Sequence, residues 1–288
     1  MPDIATYAAP RSLDEALALL RSGEVTILAG GTDLMAQTRS GKSAFNPTLV
    51  NIRHVPELLG ITDAVGAVRI GALTTVTDLR DSDLIRQRFC ALWQSCDHFA
   101  SDQIRNAATL GGNICNASPA GDTLVPLLAL DARVVLAGKP NGSIRRRTLP
   151  LMEFLVGPGR TAREPTELLE AVEIPAPAAG FFSSFFKFGV RPALDISVIS
   201  IGLAAVRDGR RLTRVRVALG AVAPTVIRAP VTEAILEGHA LDAETIAAAA
   251  AAGVEEIHPI GDVRASAWYR RELVDNMLRR MLHHVSND

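Results

Sequence analysis

The spacing of apolar and polar positions along the chain changes repeatedly between the periods of helices and strands. Residues 13–20 carry apolar side chains every three or four positions, which predicts a helix. Ser12 precedes this helix and Glu15 follows three residues later, which is the pattern of a capping box. Short apolar runs bounded by glycine, proline or polar residues predict strands, at 25–29, 47–52 and 68–73.

The same mixture of periods continues towards the C-terminus. Apolar residues from Asp83 to Cys96 recur at spacings of three and four, which predicts one helix, and the apolar run 124–130 predicts a buried helix. Further strands are predicted at 132–137, 168–174, 196–206 and 212–219, and further helices at 231–237, 244–252 and 267–284. The expected fold class is α+β, and the Pro- and Ala-rich stretch 175–177 is the predicted boundary between two parts.

Two segments place paired glycines between apolar and polar residues. The first glycine segment, 27–34, has a predicted strand before it and a predicted helix, about 34–40, after it, with Thr32 and Asp33 as candidate caps. A strand, a glycine loop and a helix N-terminus together form a common anion-binding arrangement. The second glycine segment, 109–122, is predicted to be a loop whose backbone approaches a ligand closely. We therefore expect one extended ligand held at two points.

Composition and charge exclude several classes of protein. The net charge is −1, without the basic excess of a nucleic-acid-binding protein, and the Arg145–Arg147 run is expected to be a solvated hairpin rim. No apolar run approaches the ~20 residues of a membrane span, and the stretch up to Arg11 lacks the apolar core of a signal peptide. These features favour a cytoplasmic protein.

The cysteines carry no metal-binding or disulfide pattern. There are three, an odd number without a Cys-x-x-Cys pair, which argues against a disulfide framework, a zinc site or an iron–sulfur cluster in this chain. Cys90 and Cys96 are expected to be small buried residues of their helix. Neither glycine segment is a Rossmann or Walker fingerprint, and no hydrolase or zinc-protease motif occurs. The pattern predicts a cofactor holder without catalytic or metal-ligating residues.

Several stretches then resemble one known family. Residues 29–34 and 109–114 resemble the FAD-binding medium subunit of the molybdenum hydroxylases, the group of xanthine dehydrogenase, carbon monoxide dehydrogenase and 4-hydroxybenzoyl-CoA reductase. Further stretches are similar to the same family, at 70–75, 157–161, 262–266 and 269–271. The resemblance covers nearly the whole chain.

The resemblance implies a fold with two parts. Residues 1–177 are expected to form an FAD-binding domain of the vanillyl-alcohol oxidase (PCMH) type, with lobes at about 1–56 and 57–177 and FAD extended between them. Residues 178–288 are expected to form a smaller C-terminal domain of sheet and helices. No cysteine-rich insert of the kind that holds a further cluster in some relatives is present.

The resemblance also implies which residues contact FAD. The first glycine segment is expected to wrap the pyrophosphate, and 109–113 to run along the flavin and the phosphates. The implied contacts are Ile27, Leu28, Ala29, Gly30, Gly31, Thr32, Asp33, Leu34, Phe99, Thr109, Gly111, Gly112, Asn113, Asp122, Leu169 and Lys187. From the residues alone, Phe99 and Leu169 are equally core positions, and Lys187 is equally a surface lysine on a strand.

The implied function is electron transfer within a larger enzyme. The partners would be a large molybdopterin subunit and a small subunit with [2Fe–2S] clusters, in a dimer of heterotrimers. This chain's FAD would pass electrons from those clusters to an external acceptor. A stand-alone FAD oxidoreductase of the same fold, or an assembly protein without catalysis, are the alternatives.

Overall fold

A computed structural model describes residues 4–21, 23–191, 194–209 and 211–287. Residues 1–3 of the stretch searched for a signal peptide lie outside the described residues. The described chain divides into two compact units, neither of which is continuous in sequence. The first comprises residues up to 78 with Asp102–Asn116 and Ala132–Pro175, and the second comprises Leu79–Ser101, Ala117–Asp131 and the chain from 176 onwards. The predicted division at 177 stays a prediction.

Helices and strands follow one another in mixed order. Up to residue 129 the elements are β1 (Thr6–Ala8), α1 (Leu13–Leu20), β2 (Val25–Leu28), α2 (Thr32–Arg39), β3 (Thr48–Asn51), β4 (Ile61–Ala64), β5 (Ala67–Gly71), α3 (Val76–Asp81), α4 (Asp83–Arg88), α5 (Cys90–Asp97), α6 (Asp102–Arg105), α7 (Leu110–Asn116) and α8 (Leu124–Ala129). They continue with β6 (Arg133–Gly138), β7 (Arg145–Pro150), α9 (Leu151–Phe154), β8 (Leu155–Gly157), β9 (Arg160–Thr161), β10 (Glu167–Pro175), β11 (Phe181–Phe188), β12 (Ile199–Asp208), β13 (Arg211–Gly220), β14 (Ile227–Arg228), α10 (Pro230–Leu236), α11 (Ala243–Glu255) and α12 (Ala267–Asn287).

The first unit contains a small parallel sheet and a larger antiparallel one. The parallel sheet has the order β1-β3-β2, and the antiparallel sheet has the order β4-β5-β10-β6-β7. Helix α1 buries its apolar face, including Leu13, Leu17 and Leu20, in one core with Val50 and Ile52 of the segment around β3. This packing fixes β2 and β3, from which the first glycine segment emerges.

The N-terminus of α1 has the predicted N-cap, but the second hydrogen bond of the capping box differs from the expected one. Ser12 Oγ accepts a hydrogen bond from the Glu15 N–H at 3.2 Å, as expected of an N-cap. The Glu15 carboxylate, however, accepts from the Arg11 N–H at 2.8 Å. The reciprocal bond of the capping box therefore reaches the residue before the N-cap.

A β-bulge in β10 places a buried carboxylate between two arginines. The register shifts between Leu169 and Ala171, so Glu170 is the extra residue of the bulge. Arg69 Nη2 donates to Glu170 Oε1 at 2.7 Å, and Arg146 Nε donates to Oε2 at 2.6 Å. The run 145–147 lies exposed on the edge strand β7 of a hairpin, as expected of a solvated rim, and Arg146 in addition covers this carboxylate.

Replacing this carboxylate is expected to destabilise the first unit. Glu170→Gln removes the negative charge that Arg69 and Arg146 share. It also places the side-chain N–H₂ group, which is a hydrogen-bond donor, opposite an arginine N–H group, which is a donor too. We expect the free energy of unfolding to fall by about 1.5–3 kcal/mol in urea denaturation. Glu173→Gln, on the same strand and half-buried, is the control and is expected to stay within about 0.5 kcal/mol. Equal stability of the two variants would contradict this role of Glu170.

The second unit is built on one antiparallel sheet with the order β11-β12-β13-β14. Helices α10 to α12 contribute to a large apolar core with β12 and β13, and Phe182, Phe186 and Phe188 of β11 pack against it. Helix α8, all of whose residues are buried, packs on β12 and β13. Within the described ranges, no helix combines the length and the apolar character that a bilayer span requires.

The helix predicted from Asp83 to Cys96 is interrupted. Phe89 has φ −134° and ψ 60°, so the chain ends α4 and begins α5 at this residue. The periodicity persists across the break because both short helices face the same core, with Ile85 and Leu92 buried. Cys96 is buried as predicted, whereas Cys90, at the start of α5, is only half-buried.

Candidate cofactor site

The first glycine segment turns from β2 into the N-terminus of α2. Gly31 is the N-cap, with φ 77°, a left-handed conformation that favours glycine, and it makes no side-chain capping bond. Thr32 and Asp33, predicted as caps, lie inside the first turn, so that prediction was wrong. The first helical bond of α2 runs from the Met35 N–H to the Gly31 carbonyl. The N–H groups of the first turn therefore lack helical partners, which is the arrangement that binds anions at helix N-termini.

The first unit brings the two glycine segments close together. A Cβ atom on Gly30 would overlap the carbonyl oxygen of Ala107, two residues before Thr109. Gln37 Nε2 of α2 also donates to Asn116 Oδ1 of α7 at 2.8 Å. Gly30 is therefore needed for contact between parts of this chain, a role that its sequence pattern did not distinguish from contact with a ligand.

The second glycine segment, predicted to be a loop, begins with helix α7. Thr109 Oγ1 accepts from the Gly112 N–H at 3.0 Å, which starts the helix despite two glycines. Gly111 is buried, and a Cβ there would lie 2.7 Å from the Cβ of Ala72. Gly112 is half-buried, and the nearest atom to its Cβ would be Thr109 Oγ1 at 2.8 Å. A Cβ at Gly112 would thus meet one side-chain atom, whereas a Cβ at Gly111 would meet both the side chain and the backbone of Ala72.

Two neighbours complete the first unit's part of the site. Asn113 is buried on α7 one residue after Gly112. Leu169 is a 4% exposed residue of β10 beside the bulge, and the bulged Glu170 accepts from the Ala72 N–H at 3.0 Å through its carbonyl. Because Ala72 also contacts Gly111, the bulge supports the start of α7.

Asp33 of the first glycine segment and Cys115 of α7 have shifted pKa values. Loss of hydration raises the pKa of the Asp33 carboxyl, and the positive charge of Lys42 opposes the rise. Burial raises the pKa of the Cys115 thiol on α7 to about 11, against a smaller lowering by Arg163. Cys115 is therefore a neutral packing residue near neutral pH, as expected, rather than a reactive thiolate.

Three other predicted contacts, Phe99, Asp122 and Lys187, lie in the second unit and are close together there. Lys187 Nζ donates to Asp122 Oδ2 at 2.6 Å and to the carbonyl of His98, the residue before Phe99, at 3.3 Å. Lys187, equally a surface lysine on the sequence alone, has an 8% exposed side chain. Burial raises the pKa of the Asp122 carboxyl, and Lys187, Ser197 and His98 act to lower it.

Sequence reasoning missed Ser197 in this cluster. Its hydroxyl donates to Asp122 Oδ1 at 2.6 Å, and its side chain is 1% exposed. No local pattern could have indicated the pair, because 75 residues separate Ser197 from Asp122. Only the folded sheet brings them together.

The residues of the first unit fit a dinucleotide cofactor such as FAD. The glycine N-cap of α2 leaves N–H groups of its first turn free for a pyrophosphate. Gly112 leaves backbone open beside the buried amide of Asn113. Among the described residues, no cluster of His, Cys, Asp and Glu could hold a metal ion.

Comparison with known proteins agrees with this assignment. A family model described as the FAD binding domain in molybdopterin dehydrogenase matches residues 3–177, and the model of the CO dehydrogenase flavoprotein C-terminal domain matches 184–285. The chain is 33% identical to the xanthine dehydrogenase FAD-binding subunit of Escherichia coli O157:H7, over 98% of this chain and 96% of that protein. It is also 33% identical to the carbon monoxide dehydrogenase medium chain of Hydrogenophaga pseudoflava, over 96% and 95%.

Solved structures show the same similarity. A chain of carbon monoxide dehydrogenase from Hydrogenophaga pseudoflava superimposes with a TM-score of 0.91 at 33% identity, covering 97% of this chain and 96% of that one. A chain of quinoline 2-oxidoreductase from Pseudomonas putida 86 gives 0.90 at 26% identity, covering 98% and 96%. Fold and site together define an oxidoreductase flavoprotein with FAD as its cofactor. This chain belongs to the family of FAD-binding subunits of the molybdopterin dehydrogenases. The predicted family, the α+β fold class and the cofactor are thereby confirmed.

Proposed function

We propose that this chain is the FAD-carrying subunit of a multi-subunit molybdenum hydroxylase. In this role it passes electrons from [2Fe–2S] clusters of a partner subunit, through FAD, to an external acceptor. The observation that carries the proposal is the close approach of Gly30, in the first glycine segment, to Ala107, two residues before the second glycine segment. FAD, when bound, supplies the redox chemistry, which explains why the chain needs no general base of its own.

The first-unit residues are proposed to hold the cofactor mainly through backbone. N–H groups of the first turn of α2 donate to the pyrophosphate, and the Asp33 carboxylate, which phosphates would repel, contributes through its N–H. Gly112 lets the cofactor approach α7, while Gly30 and Gly111 hold the two segments against the rest of the unit. The proposed contacts in this unit are Ile27, Leu28, Ala29, Gly30, Gly31, Thr32, Asp33, Leu34, Thr109, Gly111, Gly112, Asn113 and Leu169.

The second-unit residues Phe99, Asp122 and Lys187 are proposed to contact the same cofactor. Lys187 brings a positive charge, which stabilises the anionic reduced flavin, and Asp122 balances and positions that charge at 2.6 Å. Phe99 supplies an aromatic contact. No residue of the chain is proposed to act as a general acid or base.

The proposed partners are a large molybdopterin subunit and a small [2Fe–2S] subunit, in a dimer of heterotrimers. Support comes from relatives named medium chains, among them those of carbon monoxide dehydrogenase and glyceraldehyde dehydrogenase. We also propose a cytoplasmic location, because an odd number of cysteines without a Cys-x-x-Cys pair argues against a disulfide framework.

Purification of the full chain tests this function. The visible spectrum, recorded before and after addition of FAD and gel filtration, is expected to show the two absorption bands of bound oxidised flavin. A chain that shows no flavin bands even after addition of FAD contradicts the proposal. Affinity purification from the source cell is then expected to recover a molybdopterin subunit. Recovery of the chain alone, with oxidoreductase activity, would instead identify a stand-alone enzyme.

A further inference from the structure

Both oxygens of one buried carboxylate are held by donors from distant parts of the second unit. Lys187, on β11 and 65 residues from Asp122 in sequence, donates to Oδ2. Ser197, in the segment before β12 and 75 residues from Asp122, donates to Oδ1. All three residues are buried or nearly so, with Ser197 1% and Asp122 7% exposed and the Lys187 side chain 8% exposed. Water therefore contributes little to holding this charge pair.

We propose that Ser197 is a positioning residue that keeps Asp122 ionised and thereby keeps the charge of Lys187 balanced beside the flavin. The proposal rests on the proposed function, which assigns Asp122 and Lys187 to the FAD site. It adds a residue outside that set and a specific effect, control of the pH dependence of the flavin midpoint potential.

The chemistry of the hydroxyl supports this role. A hydroxyl that donates to a carboxylate stabilises the charged form and lowers its pKa, whereas burial stabilises the neutral form. The charged groups that act on Asp122 are Lys187 from β11 and His98 from the end of α5. Without the Ser197 hydroxyl, Lys187 and His98 alone oppose the rise in the pKa of Asp122 that burial causes. The pKa of Asp122 is then expected to rise, because one hydrogen bond to its charged form is lost.

The consequence for the flavin follows from charge balance. If Asp122 takes up a proton, Lys187 keeps its positive charge and loses its counter-charge in a site where water screens poorly. An unbalanced cation favours the anionic reduced flavin, so the midpoint potential rises. Removal of the hydroxyl should therefore raise the potential at low pH and leave it unchanged at high pH, where Asp122 is ionised in both proteins.

The experiment uses the full chain loaded with FAD and its midpoint potential, measured by equilibration with reference dyes across the pH range in which the chain stays folded. Ser197→Ala removes the donor, and Ser197→Thr keeps it. Ser200→Ala is the matched control, because Ser200 is also 1% exposed and its hydroxyl has no hydrogen-bond partner among the described residues. Retained FAD per chain is measured for each variant from the visible spectrum.

Ser197→Ala is expected to show a pH-dependent step in the midpoint potential at a higher pH than any such step in the parent. Ser197→Thr and Ser200→Ala are expected to follow the parent profile. A Ser197→Ala profile that coincides with the parent, with FAD retained, overturns the role of Ser197. An equal change in Ser200→Ala also overturns it, since the effect would then reflect general loosening. Failure of the parent itself to retain FAD contradicts the proposed function instead.

Discussion

A Gly112→Val chain is expected to fold and to lose its affinity for FAD. The half-buried Gly112 stands in the first turn of α7, on the same face of the helix as Thr109, three residues earlier. Valine adds branched methyl groups on the side where the cofactor is proposed to lie. Overpacking of this kind costs about 1–3 kcal/mol, which weakens binding roughly 10- to 100-fold.

The loss should arise at the site rather than from unfolding. Valine has a higher helix propensity than glycine, so α7 is expected to persist. Its Cβ nevertheless lies close to Thr109 Oγ1, at 2.8 Å, and Gly112→Ala measures this smaller effect separately. Gly261→Val is a control at a glycine outside the proposed cofactor contacts, because a Cβ there meets no atom closer than 3.8 Å. Fluorescence titration with FAD and a melting curve of each variant give the measurement. A Gly112→Val chain that binds FAD as tightly as the parent means that the cofactor does not approach this helix.

Arg270→Met is expected to cause the largest loss of stability. The guanidinium of Arg270, 3% exposed at the start of α12, donates to the carbonyls of Val198 and Ala221 and to Asp262 Oδ1. Methionine fills much of the same space but leaves two buried carbonyls and a carboxylate without this donor. The free energy of unfolding is expected to fall by about 3–5 kcal/mol.

A matched variant separates this effect from general loss of charge. Arg264 contacts the same carboxylate, with Nη1 3.1 Å from Asp262 Oδ2, but its side chain is 35% exposed. Arg264→Met is therefore expected to cost less than about 1 kcal/mol. Chemical denaturation of both variants provides the comparison. Similar losses for the two would show that burial of Arg270 does not determine its contribution.

The pH dependence of stability gives a second test of the interaction between Arg270 and Asp262. Burial raises the pKa of the Asp262 carboxyl, but the N–H groups of Arg264 and Ala265 and the Arg270 guanidinium outweigh it and hold the pKa at about 2, below its ordinary 3.8. Because the folded-state pKa is depressed, the ionised carboxylate stabilises the fold above pH 3.8. This contribution is lost as the pH falls below 3.8 and through the folded-state pKa of about 2. Arg270→Met should lose less over the same interval.

Local pattern predicted the elements and not the contacts between them. Ser12 caps α1 as expected, and the apolar runs before and after the glycine segments form β2 and α8. Helix α7 could not be foreseen, because two adjacent glycines oppose a helix and only Thr109 and Ala72 offset them. The break at Phe89 was hidden because the apolar period continues across it.

The candidate site likewise has features that the sequence predicted and features that it did not. Its glycines were recognisable because few other functions need paired glycines in that context. The separate roles of these glycines were not recognisable from sequence. Gly30 and Gly111 lie close to Ala107 and Ala72, and no motif connects these residues to the glycines. The Asp122–Lys187–Ser197 cluster required the register of the second unit's sheet. The sequence therefore indicated the two glycine segments, and the tertiary structure showed which of their glycines pack against the chain itself.

The discontinuous units impose an order on synthesis at the ribosome. Helix α8 is wholly apolar, and its Val125 side chain fits against Gly202 of β12 and Gly220 of β13. Those strands are translated about 70 residues or more after α8, so the nascent chain carries an apolar helix without its partners. A fragment that ends at residue 177 keeps this exposure permanently. Chaperone capture of α8 and aggregation of such truncated fragments are therefore expected, because segments of the two units alternate along the chain.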